Sequence, residues 1–121
     1  MQITQKNFYK KFLGRAGEIK ACEYLKEKGY VIEKTNYKTR IGEIDVIAKD
    51  NGTLVFVEVK TRTDDSFGSP SEAVNFTKQS KYFKVATQYI IATNQNQCEC
   101  RFDVIEIEDG KINHIIDAFC M

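Results

Sequence analysis

Two acidic residues in the middle of the chain flank a short turn sequence. Asp45 and Glu58 lie on either side of Asn51-Gly52, the dipeptide that best tolerates the geometry of a tight two-residue β-hairpin turn. Counting back from that turn places Asp45 opposite Glu58, and both side chains fall on one face of the hairpin. Carboxylates that face each other across a strand pair repel, so the two are favourable together only around a proton or a cation.

The same register adds Glu43 and Lys60 to this face, opposite each other. Oxygen ligands of this kind suit Mg²⁺ or Mn²⁺, which keep several waters and also bind phosphate oxygens. Such an ion stabilises charge on a phosphodiester and lowers the pKa of an attacking water. Lys60 is placed to orient that water or to neutralise the phosphoryl oxygens. The pattern is therefore compatible with metal-assisted hydrolysis.

A plainer interpretation fits the same spacing. The four side chains would form a cross-strand ion-pair patch, with Glu43 bound to Lys60 and Asp45 bound to an arginine. Exposed ion pairs of this kind contribute little to stability and need no ligand. The spacing alone leaves both interpretations open.

Helical spacing of apolar residues predicts a first helix over residues 4–28, ended by Gly29. Glu18 lies on the inward side of this helix, where a carboxylate usually has a partner, although it could also sit solvated at the margin. Gly14 and Gly17 either allow another backbone to approach closely or mark a weak first turn. The expected apolar stripe comprises Phe8, Phe12, Ala16, Ile19, Ala21, Cys22 and Leu25.

The second arm of the hairpin is apolar on both faces, since Val55 and Val57 alternate with Leu54 and Phe56. A strand of this kind is normally an interior strand of a sheet covered on both sides. A further strand is predicted before it, over residues 30–37.

The sequence Ser69-Pro70-Ser71-Glu72 has the capping-box pattern of a helix start, after a polar loop over residues 63–68. The helix is predicted to continue to about Ala92. Two strands follow, over residues 101–108 and 111–119, joined by the turn Asp109-Gly110. The order helix, three strands, helix, two strands predicts an α/β fold with helices covering one central mixed sheet.

Composition narrows the partners. The 121 residues suit one domain spanning 1–121, and 18 basic against 17 acidic residues give a net charge of +1. Nucleic-acid contacts would therefore need local clusters of Lys and Arg. No apolar run has membrane-spanning length and no signal peptide is evident, so a cytoplasmic protein without a membrane partner is expected. The cysteines do not form C-x-x-C pairs and His114 stands apart from them, so free thiols are expected instead of a zinc site.

Asp45 followed by Glu58-Val59-Lys60 resembles the D…(D/E)-x-K signature of the restriction-endonuclease-like superfamily, PD-(D/E)xK. An acidic residue on the first helix, here Glu18, is a feature shared with the archaeal Holliday-junction resolvases. Together with these, five segments resemble the bacterial YraN family of endonuclease-like proteins: residues 14–18 (GRAGE), 42–48 (GEIDVIA), 55–62 (VFVEVKTR), 67–74 (FGSPSEAV) and 101–104 (RFDV).

The resemblance implies a restriction-endonuclease-like domain and a Mg²⁺- or Mn²⁺-dependent endonuclease acting on DNA, including branched or distorted DNA. A non-catalytic nucleic-acid-binding or assembly module on the same fold stays open, as does RNA as substrate. A resolvase would need a symmetric dimer. The implied catalytic residues are Asp45, Glu58, Lys60 and Glu18; the metal ligands are Asp45, Glu58 and Glu18; the DNA contacts are Arg40, Arg62, Lys78, Lys81 and Lys84; and Glu43 and Glu72 support the site.

Overall fold

The structure is a computed structural model that describes residues 5–62 and 76–120. The predicted α/β class and element order are confirmed, and the strands form one five-stranded sheet in the order β1-β2-β3-β4-β5. The β3–β4 pair is parallel and the other three pairs are antiparallel, so the sheet is mixed as predicted and consistent with a restriction-endonuclease-like fold. The elements are α1 (Gln5–Glu27), β1 (Val31–Lys38), β2 (Glu43–Asp50), β3 (Thr53–Arg62), α2 (Phe76–Ala92), β4 (Cys100–Glu108) and β5 (Lys111–Phe119).

Both predicted two-residue turns are present. Asn51 and Gly52 have φ values of 49° and 87°, and Asp50 pairs with Thr53 across the turn. Asp109 and Gly110 close the β4–β5 hairpin in the same way, with φ values of 50° and 76°. These left-handed conformations suit Asn, Asp and Gly and match the twist of the strands they join. The Asn51-Gly52 turn therefore fixes the register of β2 and β3, which brings Asp45 close to Glu58.

The central strands of the sheet are buried on both faces, as the sequence of β3 predicts. Val55 and Val57 pack under α1 with Leu25, whereas Leu54 and Phe56 pack under α2. Complete burial of an aliphatic or aromatic side chain of this size stabilises a fold by about 1.5–3 kcal/mol. The buried core therefore centres on β2, β3 and β4, next to the strand positions that carry the acidic residues.

The buried face of α1 differs from the prediction. Gly17, Ala21 and Leu25 face the sheet, whereas Ala16 is exposed and Ile19 is 56% exposed. A Cβ at position 17 would collide with the hydroxyl of Thr61 on β3. The missing side chain of Gly17 lets α1 approach β3 closely, and this contact rotates the helix away from the Ala16–Ile19 stripe. The prediction that glycine permits a close approach is thus confirmed for Gly17.

The predicted loop over residues 63–68 and the capping box with Glu72 lie outside the described residues. The described part of α2 begins at Phe76 and ends at Ala92, where the sequence predicted its end. Across the described ranges 5–62 and 76–120, no helix combines the length and the apolar character needed to cross a membrane.

A buried polar network joins β4 to β5 and to the β2–β3 turn. The Asp103 side chain is fully buried and accepts hydrogen bonds from Arg101 Nε at 3.0 Å and from the Asp117 backbone N–H at 2.9 Å. His114 Nε2 lies 2.8 Å from the same carboxylate, and Arg101 also donates to Asp50 at 3.1 Å. Burial would raise the pKa of Asp103, but the bonds from His114 and Arg101 outweigh it and lower the pKa. His114 is therefore hydrogen-bonded within this network.

Candidate active site

A cavity of about 690 Å³ opens where β2 begins and β3 approaches its end, beside the start of the described part of α2. Strand residues Asp45 and Glu58 contribute acidic side chains, and helix residues Lys78 and Lys81 contribute basic ones. The two carboxylates predicted to meet across the hairpin therefore line one cavity, which we call the acidic cavity. Its lining comprises Ile41, Gly42, Glu43, Asp45, Glu58, Thr77, Lys78, Lys81 and Tyr82.

Regular pairing of β2 with β3 runs from Asp50–Thr53 to Val46–Val57 and ends one position before the two carboxylates. At that point the Val59 backbone N–H donates to Asp45 Oδ2 at 2.9 Å. A side-chain oxygen thus takes the place of a strand-to-strand acceptor. This bond holds the Asp45 carboxyl group at the open end of the hairpin, where it faces Glu58.

Glu58 is only 7% exposed and, besides the carboxyl group of Asp45, has three hydrogen-bonding or charged partners. Lys78 Nζ donates to its Oε1 at 2.9 Å, and Lys60 Nζ lies 3.4 Å from the same oxygen. The Tyr82 hydroxyl donates to Oε2. Among the ion pairs of the described residues, Lys60 thus binds Glu58, and the alternative prediction of a Glu43–Lys60 pair is wrong. Two residues apart on one strand, Lys60 and Glu58 share a face and reach each other more readily.

Asp45 bears the electrostatic cost of this arrangement. Burial, and then the nearby charge of Glu58, raise the pKa of Asp45 to about 8, against the opposing hydrogen bond from the Val59 N–H. The Asp45 carboxyl group also shares a hydrogen bond with Glu58. Without another cation, burial and the charge of Glu58 therefore favour the protonated form of Asp45. A divalent cation between the two groups would remove the reason for that proton.

Glu18 lies on α1 and does not line the acidic cavity. Its side chain hydrogen-bonds Asn36; burial raises its pKa, and the charges of Glu43 and Glu58 raise it further. Within residues 5–62 and 76–120, no three His, Cys, Asp or Glu side chains are grouped closely enough to hold a metal ion. Glu18, Asp45 and Glu58 thus do not form a three-carboxylate cluster, and the role of Glu18 as a ligand stays a prediction.

The donor set nevertheless fits a hydrated hard cation. Mg²⁺ is usually bound by one or two carboxylates, several waters and substrate phosphate oxygens, and seldom by an all-protein cage. Asp45 and Glu58 supply the two carboxylates, and the open cavity leaves room for water and phosphate. The raised pKa of Asp45 indicates that these two groups lack enough positive charge between them.

The predicted DNA contacts fall into two groups. Arg40, Lys81 and Lys84 are exposed, and Lys81 lines the acidic cavity. Arg40 sits on the β1–β2 turn, which is shaped by the Thr39 hydroxyl accepting from the Ile41 N–H at 3.1 Å. By contrast, Lys78 is half-buried in its ion pair with Glu58, and Arg62 is half-buried at the end of β3.

Tyr82 and the contact between Lys78 and Glu58 were not predicted from the sequence. The resemblance implies only DNA contacts for the lysines of α2. Lys78 and Tyr82 are four residues apart, so they share one face of α2. The available signal for this contact was a tyrosine one helical turn from a lysine. The helix that carries both was predicted to cover a sheet with acidic residues.

Comparison with known proteins identifies a family of similar sequences. Residues 17–107 match the sequence profile of the uncharacterised protein family UPF0102. A UPF0102 protein of Caldanaerobacter subterraneus is 49% identical over 94% of this chain and 99% of its own length. A UPF0102 protein of Alkaliphilus oremlandii is 50% identical, over 90% and 98% of the two chains. A third, from Caldicellulosiruptor bescii, is 52% identical, also over 90% and 98%.

Proposed function

The chain belongs to the uncharacterised protein family UPF0102, the YraN family, and on this premise we propose that it is a Mg²⁺-dependent endonuclease acting on DNA. Branched or otherwise distorted DNA is the expected substrate. One observation carries the proposal: Asp45 and Glu58 come from separate strands and meet in an open cavity, with Lys60 Nζ 3.4 Å from Glu58. This is the arrangement that a D…E-x-K signature requires.

Each side chain has a role that follows from its surroundings. Asp45 and Glu58 would hold the cation, which supplies charge stabilisation at the phosphoryl group and an activated water. Burial is the main cause of a lowered pKa at Lys60, and the neighbouring Lys78 lowers it further. A lowered pKa increases the fraction of Lys60 that is unprotonated near neutral pH, so this side chain is suited to orient the attacking water and to take its proton.

Positioning of the DNA would rest on the exposed basic residues around the cavity, Arg40, Lys81 and Lys84. Contacts to phosphate fix the position of a duplex but do not read its sequence. The net charge of +1 provides no general attraction, so affinity depends on this local group. These features favour recognition of backbone shape over recognition of a particular sequence.

The direct test is cleavage of labelled junction, flap and duplex DNA by purified protein in Mg²⁺ and in Mn²⁺. We expect Asp45→Asn to lower the cleavage rate by at least about a hundredfold, because it removes one cation ligand. Asp50→Asn is the matched control, since Asp50 lies on the same strand but binds Arg101 outside the cavity. Absence of cleavage by the wild type, or equal cleavage by Asp45→Asn, would refute the assignment.

A second candidate is a nucleic-acid-binding module that does not cut. The observation in its favour is that Lys60 and Lys78 already neutralise Glu58, so much of the cavity is satisfied without a metal. Such a module would bind nucleic acid in chelator, lose affinity steeply with salt and tolerate Asp45→Ala. Parallel assays with RNA of the same structures identify the preferred nucleic acid.

A further inference from the structure

The oxygens of Glu58 are almost fully occupied by groups of this chain. A carboxylate has about four lone-pair positions, and Glu58 shares one hydrogen bond with Asp45 and faces three further donors. Lys78 and Lys60 share Oε1, at 2.9 Å and 3.4 Å, and Tyr82 takes Oε2. A cation ligand in this environment has little capacity left. One donor must therefore give way if Glu58 is to bind a divalent ion.

The charges of the donors indicate which kind would leave Glu58 when a divalent cation binds. Tyr82 is neutral and 7% exposed, so it can stay on Oε2 while the other oxygen changes partner. The two ammonium groups repel each other and would repel a divalent cation at the same oxygen more strongly. A lysine, and not the tyrosine, is thus the group that leaves.

Position decides between the two lysines. Lys60 stands inside β3, where the backbone is paired in parallel with β4 opposite Glu106, and its side chain is 29% exposed. Lys78 is the third residue of the described part of α2, and its side chain is 35% exposed at the cavity. A lysine has a long flexible stem, so its ammonium can leave Glu58 and still remain in the cavity.

We propose that Lys78 is a built-in substitute for the divalent cation, a positioning residue that neutralises Glu58 in the metal-free protein and releases it when the cation binds. The inference rests on the proposed function of the same cavity. Tyr82, one turn further along α2, keeps the carboxylate oriented during the exchange. The freed ammonium then neutralises a phosphate oxygen in the cavity. Lys78 thereby couples filling of the metal site to engagement of the DNA backbone.

Metal affinity tests the exchange without relying on activity. Mn²⁺ binding to the full chain is measured by electron paramagnetic resonance for the wild type, Lys78→Met, Lys78→Gln and Lys26→Met. Both Lys78 variants should bind Mn²⁺ about three- to tenfold more tightly, since neither places a positive charge on Glu58. Lys26 is the matched control, because it is an exposed lysine of α1 and does not line the cavity. Its variant should bind as the wild type does.

Two additional measurements separate exchange from a structural role. Tyr82→Phe should weaken Mn²⁺ binding, because Glu58 loses the bond that orients it. At saturating metal, Lys78→Met should cleave DNA more slowly than the wild type. Tighter metal binding gives no advantage under this condition, whereas the contact from Lys78 to phosphate is missing. Thermal melts verify that each variant is folded, and Lys78→Gln provides a polar side chain of similar reach if Lys78→Met melts early.

Unchanged or weaker Mn²⁺ binding by both Lys78 variants would overturn the exchange. If the wild type still cleaves DNA in an Asp45-dependent manner, the proposed function survives that result. Failure of both the wild type and the Lys78 variants to bind Mn²⁺ would overturn the proposed function and the exchange together.

Discussion

At the scale of single residues, Asp45 determines how the cavity responds to protons. Its pKa is raised from 3.8 to about 8, so the folded protein binds a proton that the unfolded chain has released between these values. The stabilisation from this proton is fully present below about pH 4 and is lost as pH rises through the folded pKa. Without a bound cation, deprotonation of Asp45 therefore lowers the free energy of unfolding as the pH becomes alkaline.

Asp45→Asn should remove that pH dependence, because the amide keeps an acceptor for the Val59 N–H but cannot ionise. At pH 8.5 in chelator, we expect the variant to have a free energy of unfolding higher by about 1–3 kcal/mol than the wild type. At pH 4 the difference should nearly vanish. Urea denaturation at the two pH values measures both quantities. A wild type that is as stable as the variant at pH 8.5 would contradict the strained carboxylate pair.

The sequence could predict the meeting of Asp45 and Glu58 because one turn, Asn51-Gly52, sets the register between them. It could not predict the partner of Lys78. That contact depends on how α2 lies over the sheet, and helix periodicity gives the face of a helix but not its placement. For the same reason the sequence could not decide whether His114 points outward or reaches Asp103 on the neighbouring strand.

At the scale of elements, the contact of α1 with β3 depends on Gly17. Gly17→Ala places a methyl group against Thr61, while alanine improves helix propensity by about 1 kcal/mol. Overpacking typically costs about 1–3 kcal/mol, so we expect a net loss of up to about 2 kcal/mol in the free energy of unfolding. Gly14→Ala is the matched control, because nothing lies within 4 Å of its added Cβ. The control should be stabilised, and stabilisation of Gly17→Ala as well would mean that the close approach is not required.

The β4–β5 hairpin and the β2–β3 turn depend on the buried carboxylate of Asp103. Asp103→Ala leaves the Arg101 charge without its buried partner, and we expect a loss of about 3 kcal/mol in the free energy of unfolding. The exposed residue Glu99, just before β4, provides the control variant Glu99→Ala, which should change stability by less than about 0.5 kcal/mol. Chemical denaturation measures both. A loss below about 1 kcal/mol for Asp103→Ala would show that the network contributes little.

The contacts of the Asp103 network could not be predicted from the sequence. The strand RFDVIEIE was correctly predicted, yet Arg101 and Asp103 on one face of a buried strand were not interpreted as an ion pair. Asp117 has a φ of 55° and interrupts the regular β4–β5 register, which lets its N–H reach Asp103. An irregular residue of this kind leaves no periodic signal in the sequence.

At the scale of the whole molecule, a near-neutral protein must bind DNA through a local basic group. Lys81→Ala should weaken DNA binding in chelator and reduce the slope of log K against log salt by about one. Lys26→Ala removes the same charge from an exposed position on α1, which packs on the other face of the sheet, and should leave the slope unchanged. Filter binding at several salt concentrations gives the slopes. Equal slopes for the two variants would mean that DNA does not lie over the acidic cavity.

The central claim is that Asp45 and Glu58 form a divalent-cation site. Anomalous diffraction from a crystal soaked in Mn²⁺ tests it most directly, with a metal-free crystal as reference. We expect a manganese peak between the two carboxylates, with Lys78 Nζ moved away from its 2.9 Å contact with Glu58. Absence of a peak there, with the Lys78–Glu58 ion pair intact, would contradict the account.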